Sequence, residues 1–326
     1  MAVSSPSSAS VLSPSTRTPA APAKRRRRKV DWRAVGAFTL LTAPVVIGLG
    51  VFKYVAIAWS FLLSFNDARG TISLGNWIGF DNYTFLLSDP AFRDSLLIIA
   101  LFTVFIVPVT FVASLGLAVL VNSIRRGKAF FRTVFLIPGA VSYVVAALVW
   151  KMALFNGLPS GVANVIGGLF GADPVAWLSE TSPPVYWIAV VTLRLWLQVG
   201  LYMILFLAGL QAISPSLYEA GELDGTSKWQ AFRYITLPQL RNTSVAVLLL
   251  ILIAAFQAFD EFYNLFGTGL SGTATAPVKP PLVYLYDSAL GDQNYGVGSA
   301  GAFLLTVIIV AITLLQGKFV GFGKKD

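Results

Sequence analysis

Two short stretches of this chain hold most of the residues able to do chemistry. The first reads Leu217-Tyr-Glu-Ala-Gly-Glu-Leu-Asp-Gly-Thr-Ser-Lys-Trp-Gln-Ala-Phe-Arg-Tyr-Ile-Thr-Leu-Pro238, inside a polar interval of nearly 30 residues between two long apolar runs. It predicts two short helices joined at a glycine. Ser216 with Glu219 forms a capping box for the first, and Ser227 with Gln230 one for the second. Gly225 supplies a permissive backbone for the turn, and Pro238 stops the second helix. A loop of this length with helices of its own is more than a connector. The second stretch places Gln257, Asp260, Glu261, Tyr263 and Asn264 near the end of an apolar run. Carboxylates and amides exchange hydrogen bonds with hydroxyl groups, and the ring of Tyr263 can stack on an apolar face of a ligand. Gln257 with Asp260, and Glu261 with Asn264, lie three apart and so share helical faces. The plainer reading is that Asp260 and Glu261 simply end the apolar segment at an interface.

Arg194 interrupts another apolar run. It either pairs with an acidic neighbour or snorkels its guanidinium outward. Tyr143 and Trp196 line a pathway or pack against an adjacent helix. No histidine and no cysteine occur in the chain. The commonest general base, the commonest metal ligand and all thiolate chemistry are therefore missing, and no metal site is expected. A membrane-embedded enzyme would need a convergent acidic or basic set, and nothing beyond Asp260-Glu261 offers one.

These residues sit in a frame that composition describes. Of the 326 residues 56% are hydrophobic, only 12% are charged, and mean hydropathy is +0.73. A soluble domain carries roughly 25% charged residues, so this surface must largely meet lipid. Apolar stretches near residues 34–63, 95–121, 133–152, 185–213, 243–263 and 296–317 are each long enough to cross a bilayer. Backbone amides in lipid must be paired within their own segment, so each reads as a helix. The expected fold is all-α, a polytopic membrane protein of about six spans, with residues 1–30 as a disordered basic tail and 31–326 as the transmembrane domain.

The net charge of +9 invites a nucleic-acid reading, but its placement does not. Eight Lys or Arg lie between Arg17 and Arg33, four near residues 122–132, three near 214–242 and three at the C-terminal end. The alternate loops hold only Arg69, Arg93 and Lys279. This is the positive-inside pattern for six spans with both termini cytoplasmic, and no nucleic-acid partner is expected. The run Lys24 to Lys29 then reads as a cytoplasmic anchor.

In spacing, Glu219-Ala220-Gly221, then Gly225, then Ile235-x-Leu237-Pro238 resembles the signature loop of bacterial importer permeases of the ATP-binding-cassette class. The single departure is Gly221, where the family usually has Ala. The resemblance makes Glu219, Ala220, Gly221, Asp224, Gly225, Ile235, Leu237 and Pro238 an ATPase-coupling loop. The texts Leu207-Ala-Gly-Leu-Gln-Ala-Ile213, Phe131-Arg-Thr-Val-Phe-Leu-Ile-Pro138, Leu223-Asp-Gly225 and Phe256-x-x-Phe-Asp260 are similar to carbohydrate permeases of the maltose and glycerol-3-phosphate type. That likeness implies a sugar, oligosaccharide, glycerol-3-phosphate or polyol as substrate. It also implies a second permease subunit, two cytoplasmic ATPase subunits and an extracytoplasmic solute-binding protein as partners. No phosphate loop is present, since Gly127-Lys128 is followed by Ala129 and Gly317-Lys318 by Phe319. This chain is thus expected to be no enzyme and to bind no cofactor itself, with ATP and magnesium held by the ATPase partners. An ion-driven secondary transporter is the main rival, and it has no physical need of such a loop.

Overall fold

The structure, a computed structural model, describes residues 32–124, 126–180, 182–267 and 278–320. The expected basic tail, residues 1–30, lies outside them. The chain divides into two compact units, residues 1–55 and 56–326. The first contributes helix α1 (Trp32–Leu49) and a wide π-helical turn, Gly50–Val55. No described residue between 32 and 55 is buried, which suits a helix surrounded by hydrocarbon.

In the second unit α2 (Ala56–Leu63) is followed by α3 (Asp81–Ser88) and the long α4 (Pro90–Ser123). The Asp89 side chain caps α4 by accepting from the Ala91 amide at 3.2 Å, and Pro90 fills the first helical position, where no N–H is needed. Next come α5 (Lys128–Leu136), α6 (Tyr143–Val149), α7 (Val162–Leu169) and α8 (Tyr186–Gln211). The polar loop holds α9 (Pro215–Leu223), α10 (Lys228–Ala231) and α11 (Leu237–Gln239). After it run α12 (Arg241–Phe256), α13 (Asp260–Phe266), α14 (Pro281–Tyr286) and α15 (Tyr295–Val320). No strand occurs among the described residues, only two isolated bridges, Asn66 with Trp77 and Arg69 with Asn294.

Among the described residues five helices are long and apolar enough to span a bilayer: Val35–Leu63, Pro90–Ser123, Tyr186–Gln211, Arg241–Phe266 and Tyr295–Lys318. The expected third span departs from a straight rod. Lys128–Ala140 and Tyr143–Leu154 meet at 92°. Pro138 withholds an N–H, Gly139 follows it, and the chain tightens into a 3-10 turn over Ile137–Ala140 before the break. Gly139 also passes close to α8, where a Cβ would lie 3.3 Å from the Leu197 carbonyl.

The core forms where α4, α8 and α12 pack together. Ile99, Phe102 and Ile106 recur at helical spacing on α4 and meet Leu193, Leu197 and Phe206 of α8 and Ile251 of α12. Leu101, Val104 and Phe105 on the other side of α4 are exposed. Apolar residues on both faces of a helix are what lipid contact requires. Between helices in hydrocarbon, packing replaces the hydrophobic effect, so small residues gain importance. At Gly200 a Cβ would overlap the Phe135 carbonyl, so only glycine lets the bent segment lie against α8.

Candidate functional site

The polar loop is built by local bonds. Ser214 caps α9 and Pro215 takes its first position, without a side-chain cap hydrogen bond. The capping box expected from Ser216 and Glu219 is therefore absent. Proline's preset φ draws the helix start to residue 215, which moves Glu219 past the position a box demands. α9 ends in a Schellman turn. The Gly225 amide donates to the Glu222 carbonyl at 3.1 Å and the Thr226 amide to the Gly221 carbonyl at 2.9 Å. Gly225 sits at φ +73°, the left-handed conformation that a Cβ would strain. The expected capping box on α10 is present, with Ser227 N–H donating to Gln230 Oε1 at 2.8 Å and Gln230 N–H to Ser227 Oγ.

Pro238 does not stop the second helix. A π-helical turn at Phe232–Thr236 widens the backbone, so that the Leu237 amide donates back to Phe232, and Pro238 is carried inside α11. The helical run ends two residues later at Leu240. Tyr218 and Thr236 join the two arms through their hydroxyls at 3.0 Å.

Gly221 has a specific neighbourhood. The Thr226 hydroxyl donates to its carbonyl at 2.5 Å. A Cβ on Gly221 would lie 2.8 Å from Thr226 Oγ1 and 2.9 Å from Ile235 Cδ1. The space an alanine would use is already filled by this loop's own side chains. Glu219, Ala220, Asp224 and Gly225 are exposed, as are the apolar Leu223 at 90% and Trp229 at 70%. The loop is thus rigid within and presents acid and apolar groups outward. That combination suits docking to a protein.

The second stretch is not one continuous helix. α12 ends at Phe256 and α13 begins at Asp260. Gln257 and Asp260 therefore lie on either side of a break and do not share a helical face, although both are exposed. Asn264 Nδ2 donates to the Asp260 carbonyl at 2.7 Å. Arg194, buried in α8 about 12 Å from the helix start by helical rise, holds the break together. Its guanidinium pairs with the Glu261 carboxylate and also donates to the Ala254 carbonyl. Ala254 is among the last residues of α12, whose carbonyls have no partner within the helix. Glu261 lies in the first turn of α13, where a negative charge favours the helix dipole. One side chain therefore ties the end of α12 to the first turn of α13. Both charges are almost fully buried, at 3% and 2% exposure, and the Phe102 ring faces the guanidinium at 5.4 Å. Of the two readings of Arg194, pairing holds, and the pair occupies Glu261.

The other candidates separate. Gln198 Nε2 donates to the Tyr143 hydroxyl at 2.7 Å across the bend of the third span. The two face a cleft of about 360 Å3 shared with Gly139, Val141 and Leu201. Gln198, four residues after Arg194, was not singled out in the sequence, because an amide in a long helix shows no partner there. Trp196 lies on the other side of α8, exposed and tilted against Trp150 at 5.2 Å. Tyr263 stacks on Phe259 at 5.0 Å and meets Tyr286 of α14 edge-on at 5.1 Å.

With this geometry in place, comparison with known proteins is informative. Residues 111–320 match the family described as binding-protein-dependent transport system inner membrane component. A probable ABC transporter permease of Pyrococcus horikoshii is 32% identical over 84% of this chain and 92% of its own length. The trehalose/maltose transport system permease protein MalF of Thermococcus litoralis is 31% identical over 91% of this chain and 98% of its own. The arabinooligosaccharides transport system permease protein AraP of Bacillus subtilis is 30% identical, covering 88% and 89%. Among solved structures, a chain of a bacterial ABC transporter involved in importing the acidic polysaccharide alginate superposes with a TM-score of 0.75. It shares 22% identity and covers 90% of this chain and 99% of itself. The chain described above, a multi-pass membrane protein of helical permease fold, belongs to the family of binding-protein-dependent transport system inner membrane components.

Proposed function

We propose that this chain is the permease subunit of an ATP-driven importer that passes a sugar or oligosaccharide into the cytoplasm. A second permease subunit, a paralogue, completes the channel. Two cytoplasmic ATPase subunits hold ATP and magnesium, and an extracytoplasmic binding protein delivers the substrate. The observation that carries this reading is the polar loop, whose Schellman turn at Gly225 presents Glu219 and Leu223 outward from a rigid frame. A docking element that transmits motion must be stiff within and exposed without. Relatives named for trehalose, maltose and arabinooligosaccharides support the substrate class, as does the likeness to an alginate importer recorded with an oligosaccharide-bound periplasmic protein.

The mechanism follows from the parts. Closure of the ATPase pair moves the docked loop, and α12 begins two residues after that loop's last helix. Motion of the loop is delivered to one end of α12, and its other end is the break clamped by Arg194 and Glu261. The groups proposed to meet substrate are Gln257 and Asp260 at that break, Tyr263 and Asn264 beside it, and Tyr143 with Gln198 in the neighbouring cleft. The basic loops face the cytoplasm and both termini lie inside. The absence of native cysteine permits a clean topology test. Cysteine at Ser88 reacts with an impermeant thiol reagent added outside intact cells, whereas cysteine at Ser227 does not. Labelling of Ser227 overturns the orientation. For the pathway, Asp260→Asn and Gln257→Ala lower uptake while the complex still assembles. Unchanged uptake in both removes the break from the pathway.

A further inference from the structure

At the foot of α12 a second, separate cleft of about 320 Å3 opens between the end of the polar loop and the span. That volume is at the lower end of small-ligand sites, about 300–1,000 Å3. The side of the cleft formed by α12 is ordered by polarity, and Leu237 and Pro238 complete the lining at its loop end. Arg233, in the π-helical turn, and Arg241, at the first position of α12, both line it. Along α12 the lining residues then recur as Arg241, Ser244, Val245 and Leu248, the spacing of one helical face. Charge therefore gives way to hydroxyl and then to hydrocarbon over about 10 Å of helical rise. This is the polarity profile of a phospholipid, from phosphate through ester to acyl chain. A soluble anion has no use for the apolar half, and an acyl chain alone has none for two arginines.

We infer that this cleft binds an anionic phospholipid of the cytoplasmic leaflet, its phosphodiester held by Arg233 and Arg241 and its first acyl carbons lying on Val245 and Leu248. Guanidinium groups suit the task, because their planar donors meet phosphate oxygens in pairs. The occupant is a lipid with net negative charge, since the cytoplasmic leaflet is anionic and draws basic groups next to a span. The inference rests on the orientation proposed above, which places the foot of α12 at that leaflet. Its consequence is that lipid charge acts on the joint between the polar loop and α12, the link through which loop motion passes.

The test uses the whole complex in vesicles of equal parts phosphatidylglycerol and phosphatidylcholine, followed by detergent extraction and native mass spectrometry of retained lipid. Wild type retains phosphatidylglycerol roughly 10-fold over phosphatidylcholine, in keeping with two basic groups at a membrane surface. Arg233→Gln with Arg241→Gln abolishes that preference, and Leu248→Trp, which fills the apolar half without touching charge, lowers retention of phosphatidylglycerol as well. Arg69→Gln, an exposed arginine far from the cleft in sequence, leaves the preference intact. Equal retention of the two lipids by wild type overturns the proposal. So does an unchanged preference in the double variant, including the case where that variant sheds the ATPase subunits and so shows that the arginines face a protein. The orientation is read separately by the Ser227 labelling, so a failed topology and a failed lipid site give different results.

Discussion

The polar loop at 215–239 and the helix break at 257–259 are both interruptions of helical structure, and they are stabilised in opposite ways. The loop closes on itself. Its turn is made by bonds between residues at most five apart, and its two arms are tied by Tyr218 and Thr236. The break has local bonds at its two rims, Gln257 N–H to the Ile253 carbonyl and Tyr263 N–H to that of Phe259. The tie between α12 and α13 described above, however, comes from Arg194, 67 residues from Glu261 in sequence and itself buried. The loop can therefore move as a body without losing its shape. The break keeps its shape only while α8 and α12 stay in register. A machine that delivers motion at one end of a helix and rearranges a pathway at the other needs this division between a rigid lever and a clamped hinge.

Breaking the clamp is the severest test of that comparison. Glu261→Gln leaves the Arg194 charge buried without its counterion, and breaking a buried pair by removing one partner costs about 3–5 kcal/mol. The expected outcome is a purified complex with a sharply lowered Tm, or one that does not assemble. Replacing both partners with apolar residues of similar volume, Arg194→Met with Glu261→Leu, recovers much of that stability by the same principle. The double replacement still leaves the Ala254 carbonyl unpaired, so recovery is incomplete. A Tm for Glu261→Gln equal to wild type would show that the break does not depend on the pair.

The loop is predicted to fail differently. Gly225→Val forces a β-branched residue to φ +73°, at a cost of about 1–3 kcal/mol. That strain falls outside the core, so the complex inserts and keeps its Tm within a few degrees, yet transport-linked ATP hydrolysis is lost. A variant that lost thermal stability while retaining coupling would reverse the assignment of the two regions.

How much of this was legible in the sequence follows from the same contrast. Gly225, the Ser227 and Gln230 cap and the helix–turn–helix form of the loop are written in residues within a few positions of one another, and local chemistry decides them. The same locality explains one miss, since Pro215 competes for the start of α9 and defeats the Ser216 and Glu219 box. The helical class and most of the spans were readable because a bilayer imposes length and apolarity on each segment separately. Whether Arg194 pairs or snorkels stays open in the sequence, because Glu261 is brought to it only by the packing of α8 against the broken span. The break itself and the cleft between Tyr143 and Gln198 likewise come from helices distant in sequence, whereas the 92° bend at residues 141–142 has a local cause in Pro138 and Gly139. Apolar periodicity carries no mark of the break or the cleft.

The smallest expected effect sharpens the account of the loop. On helix propensity alone Gly221→Ala gains about 1 kcal/mol, but the structure fills the place of that methyl group with Thr226 and Ile235. The single substitution is therefore expected to bring no gain in Tm, or a small loss. In a Thr226→Ala background, where the hydroxyl is gone, the same change raises Tm by comparison with Thr226→Ala alone. A full gain from Gly221→Ala in the wild-type loop would show that those two side chains yield freely.

The most direct test of the central claim, that the 215–239 loop couples this chain to its ATPase, is copurification and ATP hydrolysis of the complex carrying Glu219→Lys. Glu219 is exposed, so reversing its charge leaves the fold of the permease untouched and alters only what docks there. The account predicts a variant that inserts and folds as wild type does but either loses the ATPase subunits or retains them without substrate-stimulated hydrolysis and transport. Full ATPase retention with wild-type transport would contradict it.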